Sequence, residues 1–182
     1  MEVTFTKLSG RRYLVAVARE HGPELAPRQG PGYDDYLPHD AVHFLVEAEA
    51  GLTGGVFGRI AAGHNNLFWP ADPAQRRRQG RREKKWRPDA DERADMARSE
   101  ELASLARPLW EWHAGHRAEL PPSFSRITQR SFDSALMQRI LARLDGFAAQ
   151  WYPLPARGEI TYEWSPRAAA DRRPAARRLS VG

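Results

Sequence analysis

The chain of 182 residues contains no cysteine. That absence excludes disulfides, zinc ribbons, iron–sulfur clusters and thiol catalysis together. Long apolar runs are also missing, because no stretch approaches the ~20 apolar residues that span a bilayer. The N-terminal residues lack a charged segment followed by an apolar one, so we expect no signal peptide and a cytoplasmic location.

Lysine is scarce, since only three of the 28 basic residues are lysines, and this arginine bias is typical of a GC-rich bacterial genome. The positive charge is concentrated in two segments. Residues 76–87 hold eight basic residues and one acid, a net charge of +7, and residues 167–182 have a net charge of +4. The whole chain has +5, so the remainder has −6. A mildly acidic body argues against one broad basic face for duplex DNA.

Three segments predict strands. Residues 2–7 alternate between apolar and polar side chains, and residues 158–164 do the same, which indicates half-buried strands. Residues 12–18 are apolar on both faces, as in a central strand. We therefore predict an α+β fold in which a small antiparallel sheet, an N-terminal hairpin plus a C-terminal strand, packs against several helices.

Helices are predicted at residues 38–51, 91–107 and 131–151, where apolar positions recur with helical spacing. Pro108 is expected to end or kink the second of these and to start another short helix. The glycine-rich segment 51–58 favours a tight turn, a short helix and close helix packing. A phosphate-binding loop is disfavoured, because no Lys-Ser/Thr pair follows the glycines.

We interpret the chain as one domain, residues 1–166, followed by a disordered basic tail, residues 167–182. The charged, proline-containing segment at about 70–90 is interpreted as a partly helical surface insert. Tryptophans flank it, and we favour the interpretation that they pin the insert to the core over the alternative that they stack on single-stranded nucleic acid. We expect weak, sequence-independent nucleic-acid binding by residues 76–87, or none, and an acidic protein partner stays open.

The stretch from His39 to Glu47 concentrates the potential chemistry of the chain. His39 and His43 are four residues apart, so both imidazoles can reach one metal ion from a single helix. Asp40 adjoins the first histidine and Glu47 follows the second by four residues. On a helical wheel these polar residues border the apolar arc, where partial burial perturbs pKa values. Asp40 and Glu47 are the candidate acid/base residues.

A complete metal site needs more than this histidine pair. Glu47 lies about 12 Å along the helix from His39, so it joins His43 more easily than both histidines. A third ligand must come from elsewhere, with His64 nearest in the sequence and His113 or His116 as alternatives. The candidate metal ligands are therefore His39, His43, Glu47 and His64, for zinc or another divalent ion. Without such an ion we expect no cofactor.

Glu49 falls inside the apolar arc of the same helix. A carboxylate in that position needs a partner. We predict an ion pair with Arg59 or another arginine.

The motif His39-Asp40-Ala41-Val42-His43 resembles the HExxH zinc motif of the zincin metalloproteases, with Asp40 in place of the catalytic glutamate. It also resembles the HDxxH stretch of the coenzyme Q biosynthesis scaffold family, in which a glutamate about a dozen residues downstream completes a metal site. Here Gly54 and Gly55 stand at that distance. As a whole the chain resembles small uncharacterised proteins of GC-rich bacteria that share the HDAVHFLVE helix and a GEITYEW ending, a likeness that implies no known activity.

Two functions from different classes follow from these features. The first is a cytoplasmic domain with a metal-binding or acid/base pocket on the HDAVH helix. The second is a non-enzymatic interaction module whose basic insert and tail bind an acidic protein or nucleic acid. The sequence leaves open whether the protein is an enzyme.

Overall fold

The computed structural model of the chain describes residues 1–32, 35–65, 67–122, 124 and 135–168, apart from the side chains of residues 82–84. The strands are β1 (Glu2–Lys7), β2 (Tyr13–Ala18), β3 (Arg28–Gln29) and β4 (Glu159–Glu163). The helices are α1 (His39–Ala50), α2 (Val56–Ala61), α3 (Pro73–Lys85), α4 (Ala90–His113) and α5 (Ala135–Trp151). A short 3-10 turn, Ser9–Arg11, joins β1 to β2.

The strands form one antiparallel sheet in the order β3-β2-β1-β4. The predicted α+β class is confirmed: the N-terminal hairpin forms, and the C-terminal strand adds to β1. The short strand β3 was not predicted, because two residues are too few to show an alternation of apolar and polar side chains. It pairs with Leu14 and Val15 of β2.

One face of the sheet is apolar and carries the helices. Register places Val3 opposite Val17 and Phe5 opposite Val15, and all four side chains are buried. On the other side of β1, Phe5 is paired with Ile160. Alternation along each strand therefore sends one set of side chains into the core and leaves the other set toward solvent.

Helix α1 lies at the centre of the helical layer, where it packs against α2, α4 and α5. Every residue from Asp40 to Ala48 is buried. This burial brings Asp40 and His43 of the HDAVH motif, and Glu47 one turn further on, inside the protein.

Helix α4 is one 24-residue helix, so the expectation that Pro108 ends it and starts another short helix is wrong. Proline removes a backbone donor and costs about 3 kcal/mol inside a helix. Leu102 and Ala106 before the proline, and Leu109 and Trp110 after it, are all buried against the core. That burial outweighs the local cost and keeps both halves in one element.

Other predictions concern the edges of the described chain. Helix α5 is confirmed from Ala135 onward, while its predicted first turn, at 131–134, lies outside the described residues. The predicted disorder of the tail also lies outside them beyond residue 168. Arg167 at the start of that tail donates its backbone N–H to Ala48 O at 2.9 Å. Within the described residues, no helix is long and apolar enough to cross a membrane.

Candidate functional site

The candidate site is the polar stripe of α1 where that helix faces α2 and α4. Burial divides the four residues of the stripe. His39 is exposed, whereas Asp40, His43 and Glu47 are 4%, 6% and 0% exposed. A polar side chain buried to this degree needs hydrogen-bond partners. The partners of each group therefore decide what it can do.

Glu47 caps the first turn of α2. Its Oε1 accepts the backbone N–H of Val56 at 2.9 Å, and its Oε2 accepts that of Phe57 at 2.8 Å. These donors are among those that a helix leaves unpaired at its N-terminus, where the helix dipole also favours negative charge. The same Oε1 accepts a third hydrogen bond, from Ser99 Oγ at 2.8 Å.

The glycine before α2 makes room for this carboxylate. A Cβ built on Gly55 would lie 2.4 Å from Glu47 Cδ, closer than two carbons can approach. The prediction that the glycine cluster serves close packing is thus confirmed. Burial, the largest effect, raises the pKa of Glu47 to about 7, even though its hydrogen bonds to Phe57, Ser99 and Val56 act in the opposite direction.

Ser99 of α4 connects Glu47 to His43. Its hydroxyl lies 3.0 Å from His43 Nδ1 and 2.8 Å from Glu47 Oε1, and the residue is 1% exposed. Ser99 is not among the site residues predicted from the sequence. A signal existed, because Asp95, Ser99, Leu102 and Ala106 follow helical spacing along the buried face of α4.

The single hydroxyl proton of Ser99 links the two flanking groups. With Glu47 ionised, the Ser99 hydroxyl donates its hydrogen bond to the carboxylate, so Ser99 Oγ must accept a hydrogen bond from His43 Nδ1–H. Neutral His43 then carries hydrogen on Nδ1 and an acceptor lone pair on Nε2. With Glu47 protonated, the carboxyl group donates to Ser99, Ser99 donates to Nδ1, and the hydrogen of the imidazole moves to Nε2.

His43 borders a small cleft between α1 and α4. The cleft has a volume of about 210 Å³ and is lined by His39, Val42, His43, Glu100, Ala103, Ser104, Arg107 and Pro108. His43 Nε2 lies 4.0 Å from Glu100 Oε2, and the His39 ring centroid lies 4.7 Å from that of His43. Burial, followed by the charge of His39, lowers the pKa of His43, so the neutral imidazole is favoured near neutral pH.

Asp40 contacts residues of the sheet, on β2 and β3. Its Oδ2 accepts the hydroxyl of Tyr13 at 2.9 Å, and its Oδ1 forms an ion pair with Arg28. Tyr13 and Arg28 belong to β2 and β3, so these contacts tie the start of α1 to the sheet. Burial and the adjacent Asp40 carboxylate raise the pKa of the Tyr13 phenol well above its usual value. Both oxygens of Asp40 are occupied by these partners, which supports a positioning role, and its catalytic role stays a prediction.

The structure does not assemble the predicted metal ligands into one group. Both Glu47 oxygens face backbone donors of α2, and His64 lies beside Trp86, with ring centroids 5.3 Å apart. His116 stacks on Tyr36 at 3.8 Å, and His113 ends α4. Throughout the described ranges, no group of three or more His, Cys, Asp or Glu side chains is arranged to hold a metal ion.

Glu49 has arginine partners, as predicted. Its carboxylate lies 3.4 Å from Arg139 Nε, 3.5 Å from Arg143 Nε and 3.4 Å from Arg167 Nε. Two of these arginines come from α5 and one follows β4. These ion pairs join the end of α1 to both C-terminal elements, α5 and the segment after β4. They explain why a carboxylate can lie inside the apolar arc of α1.

Comparison with known proteins gives no family to which this geometry can be referred. No protein-family model matches the chain, and no curated protein or solved structure shows significant similarity to it.

Proposed function

We propose that the chain is a cytoplasmic domain with an acid/base pocket in which His43 exchanges a proton with a small molecule in the cleft. The observation that carries this proposal is the hydrogen-bond chain from His43 Nδ1 through Ser99 Oγ to Glu47 Oε1. An imidazole that is oriented by a hydroxyl and a buried carboxylate has the arrangement that general acid–base catalysis uses.

The relay gives each residue a distinct role. His43 Nε2 accepts a proton from the bound molecule while Nδ1 passes its own hydrogen to Ser99. Ser99 in turn releases its hydroxyl hydrogen to Glu47, so the carboxylate stores the proton at a buried position. A carboxyl group whose pKa is about 7 accepts and returns a proton with little free-energy cost near neutral pH.

The lining of the cleft limits the ligand. A volume of about 210 Å³ is below the usual range for drug-sized ligands and suits a small metabolite. Val42, Ala103 and Pro108 provide apolar contacts, while Glu100 and Arg107 supply charges of both signs. We therefore favour a small polar molecule that presents one exchangeable proton to His43.

The tautomer of His43 tests the relay. At pH 8, where Glu47 is ionised, nitrogen-15 NMR of the imidazole should show hydrogen on Nδ1 and an unprotonated Nε2. Free histidine prefers the opposite tautomer, so a reversed pattern reports the Ser99 contact. Ser99→Ala should restore the ordinary pattern, and Ser99→Thr, which keeps the hydroxyl, should retain the reversed one.

His113 is the matched control, because it is exposed at the end of α4 and no hydroxyl group of the described residues forms a hydrogen bond with it. Its tautomer should be the same in all three proteins. Small acids, alcohols and phosphate esters added to the sample should shift His43 Nε2 before they shift His113. An ordinary tautomer at His43 in the unmodified protein would remove the basis of the proposal.

Metal binding by the same histidines stays a prediction. The adjacency of His39 and His43, with Glu100 beside the latter, supports it, since imidazole and carboxylate are common ligands of zinc. Protein purified without a histidine tag should then take up about one equivalent of zinc in elemental analysis. His39→Ala with His43→Ala should abolish uptake, and His113→Ala should not. Metal-free protein with an unchanged melting temperature after zinc incubation would exclude this alternative.

The second candidate function, a non-enzymatic interaction module, is supported by a separate observation. The basic insert is a helix, α3, and its described arginines at 76, 77, 78 and 81 are all exposed. Their side chains are presented to solvent by an ordered element. A partner of this surface must be an anion of extended shape.

A further inference from the structure

Helix α3 is a basic rod that is attached to the protein at both ends. Arg76 Nε donates to Pro70 O at 2.9 Å, which fixes the first turn. After the last turn, the Arg59 guanidinium lies 3.7 Å from the Trp86 ring centroid, and His64 lies on the same ring. The predicted pinning of the insert is therefore confirmed at Trp86.

The described basic side chains of α3 are spread over slightly more than half of its circumference. At about 100° per residue, Arg76, Arg77, Arg78, Arg81 and Lys85 fall within an arc of about 200°. Gln75 and Gln79 lie opposite this arc, and all five basic residues are exposed. Arg78 and Arg81 border an open cavity that is also lined by these glutamines, Glu24 and Asp72. Among the described contacts, none pairs these five residues with a carboxylate. Like charges one turn apart destabilise a helix, so an added polyanion would stabilise α3.

The composition of the arc restricts the partner. A helix that lies on a membrane needs an apolar face, and α3 has none, since its apolar residues are Pro73 and Ala74. A protein interface is centred on buried aromatic or aliphatic anchors, which the arc also lacks. A phosphate backbone needs neither, because its affinity comes from the release of counterions by arginine and lysine.

An exposed aromatic ring lies at the start of this rod. Trp69 is 62% exposed and directly precedes Pro70, the residue whose carbonyl holds Arg76. The backbone of Trp69 is fixed, because its carbonyl accepts the N–H of Ala26 at 2.9 Å. The expectation that the tryptophans pin the insert is therefore wrong for the Trp69 ring, which leaves a face on which a base can stack.

We propose that α3 and Trp69 bind single-stranded nucleic acid, with the arginine arc on the phosphates and the indole on an unpaired base. This inference rests on the second candidate function, that of an interaction module. Phosphate contacts plus aromatic stacking give binding without sequence preference. The acidic remainder of the chain limits the affinity, so the dissociation constant is micromolar at ~150 mM salt.

Fluorescence anisotropy with a labelled 20-nucleotide RNA tests the proposal on the full chain. Five phosphate contacts on a single strand predict about 100-fold weaker binding when salt rises from ~50 to ~200 mM. In the triple variant Arg77→Gln, Arg78→Gln, Arg81→Gln, the ratio of the affinities at ~50 and ~200 mM salt should be about 20-fold smaller. Each lost phosphate contact removes ~0.7 from the slope of log affinity against log salt concentration. Glutamine keeps helix propensity, so circular dichroism should not change.

The control variant removes three positive charges from surface positions outside α3. Arg12, Arg117 and Arg157 are exposed and lie outside α3, and their triple glutamine variant should bind RNA like the unmodified protein. Trp69→Ala should weaken RNA binding about tenfold and leave duplex DNA binding unchanged, because a paired base offers no free face. Trp112→Ala, another exposed tryptophan, should have no effect.

Each remaining outcome identifies what has failed. Equal binding by the two triple variants overturns the assignment to α3. Polyglutamate that displaces RNA at equal charge concentration overturns the nucleic-acid partner but leaves the interaction module in place. The absence of binding to either polymer at ~50 mM salt overturns both, and duplex DNA that binds as tightly as RNA overturns the single-strand preference.

Discussion

A chain that ends at Ala156 is expected not to fold cooperatively, because it lacks β4. This strand provides Ile160, Tyr162 and, just beyond its end, Trp164, all packed against the core. Trp164 lies 5.6 Å from Phe44 between ring centroids, and Tyr162 lies 5.8 Å from Phe147.

The free energy that β4 contributes decides whether the truncated chain can fold. Partial burial of three large side chains contributes on the order of 5 kcal/mol, which is similar to the whole stability of many domains. The truncation would also leave one edge of β1 without its hydrogen-bond partner, since Glu2 to Thr6 pair with β4. We therefore expect an insoluble chain or one without a melting transition in circular dichroism.

A chain that ends at Ala168 is the matched control. It keeps β4, the ion pair between Arg167 and Glu49, and the Arg167 hydrogen bond to Ala48. Its melting temperature should stay within a few degrees of that of the full chain, because every contact described for the domain is retained. A soluble 1–156 fragment with a cooperative transition would contradict the role assigned to β4.

The sheet was predictable from sequence because the order of apolar and polar residues along each long strand indicates which side chains are buried. The alternation in 158–164 indicates one buried face, and that strand joins the N-terminal hairpin as expected, by pairing with β1. The continuity of α4 was not predictable, since the cost of Pro108 is local and visible whereas the burial of Leu109 and Trp110 depends on the folded partner surface.

The geometry of the candidate site was also not predictable, because it depends on contacts between helices. The periodicity of α1 places His39, His43 and Glu47 on one stripe, and this suggested a shared metal ion. Folding instead inserts Ser99 from α4 between His43 and Glu47, and brings the N-terminus of α2 onto the carboxylate. Spacing within one helix cannot report side chains that arrive from another, because those contacts are set by packing.

Glu47→Gln is expected to change the pH dependence of stability, since it removes a buried ionisable group and keeps its shape. The pKa of Glu47 is about 7 in the folded protein against an ordinary value of 4.5. The folded state therefore holds the proton more tightly than the unfolded state. Stability from this group is fully present below pH 4.5 and is lost as the pH rises to about 7.

The loss should be on the order of 3 kcal/mol, at about 1.4 kcal/mol for each unit of pKa difference. Urea unfolding from pH 4 to 8 measures it as the difference in free energy between the two proteins, which should shrink as the pH rises. His43 acts in the opposite sense. Its pKa is lowered, so its contribution is lost as the pH falls below its ordinary value of 6.5, and this effect largely cancels because both proteins contain it.

Glu101→Gln is the matched control for the same experiment. Glu101 is exposed and pairs with Arg98 on the surface of α4. A surface pair of this kind contributes little to stability, so this difference curve should be nearly flat. If the curve for Glu47→Gln were equally flat, Glu47 would titrate as an ordinary carboxylate and could not store a proton near neutral pH. The relay from His43 through Ser99 would then orient the imidazole without accepting its proton, and His43 would act alone at the cleft.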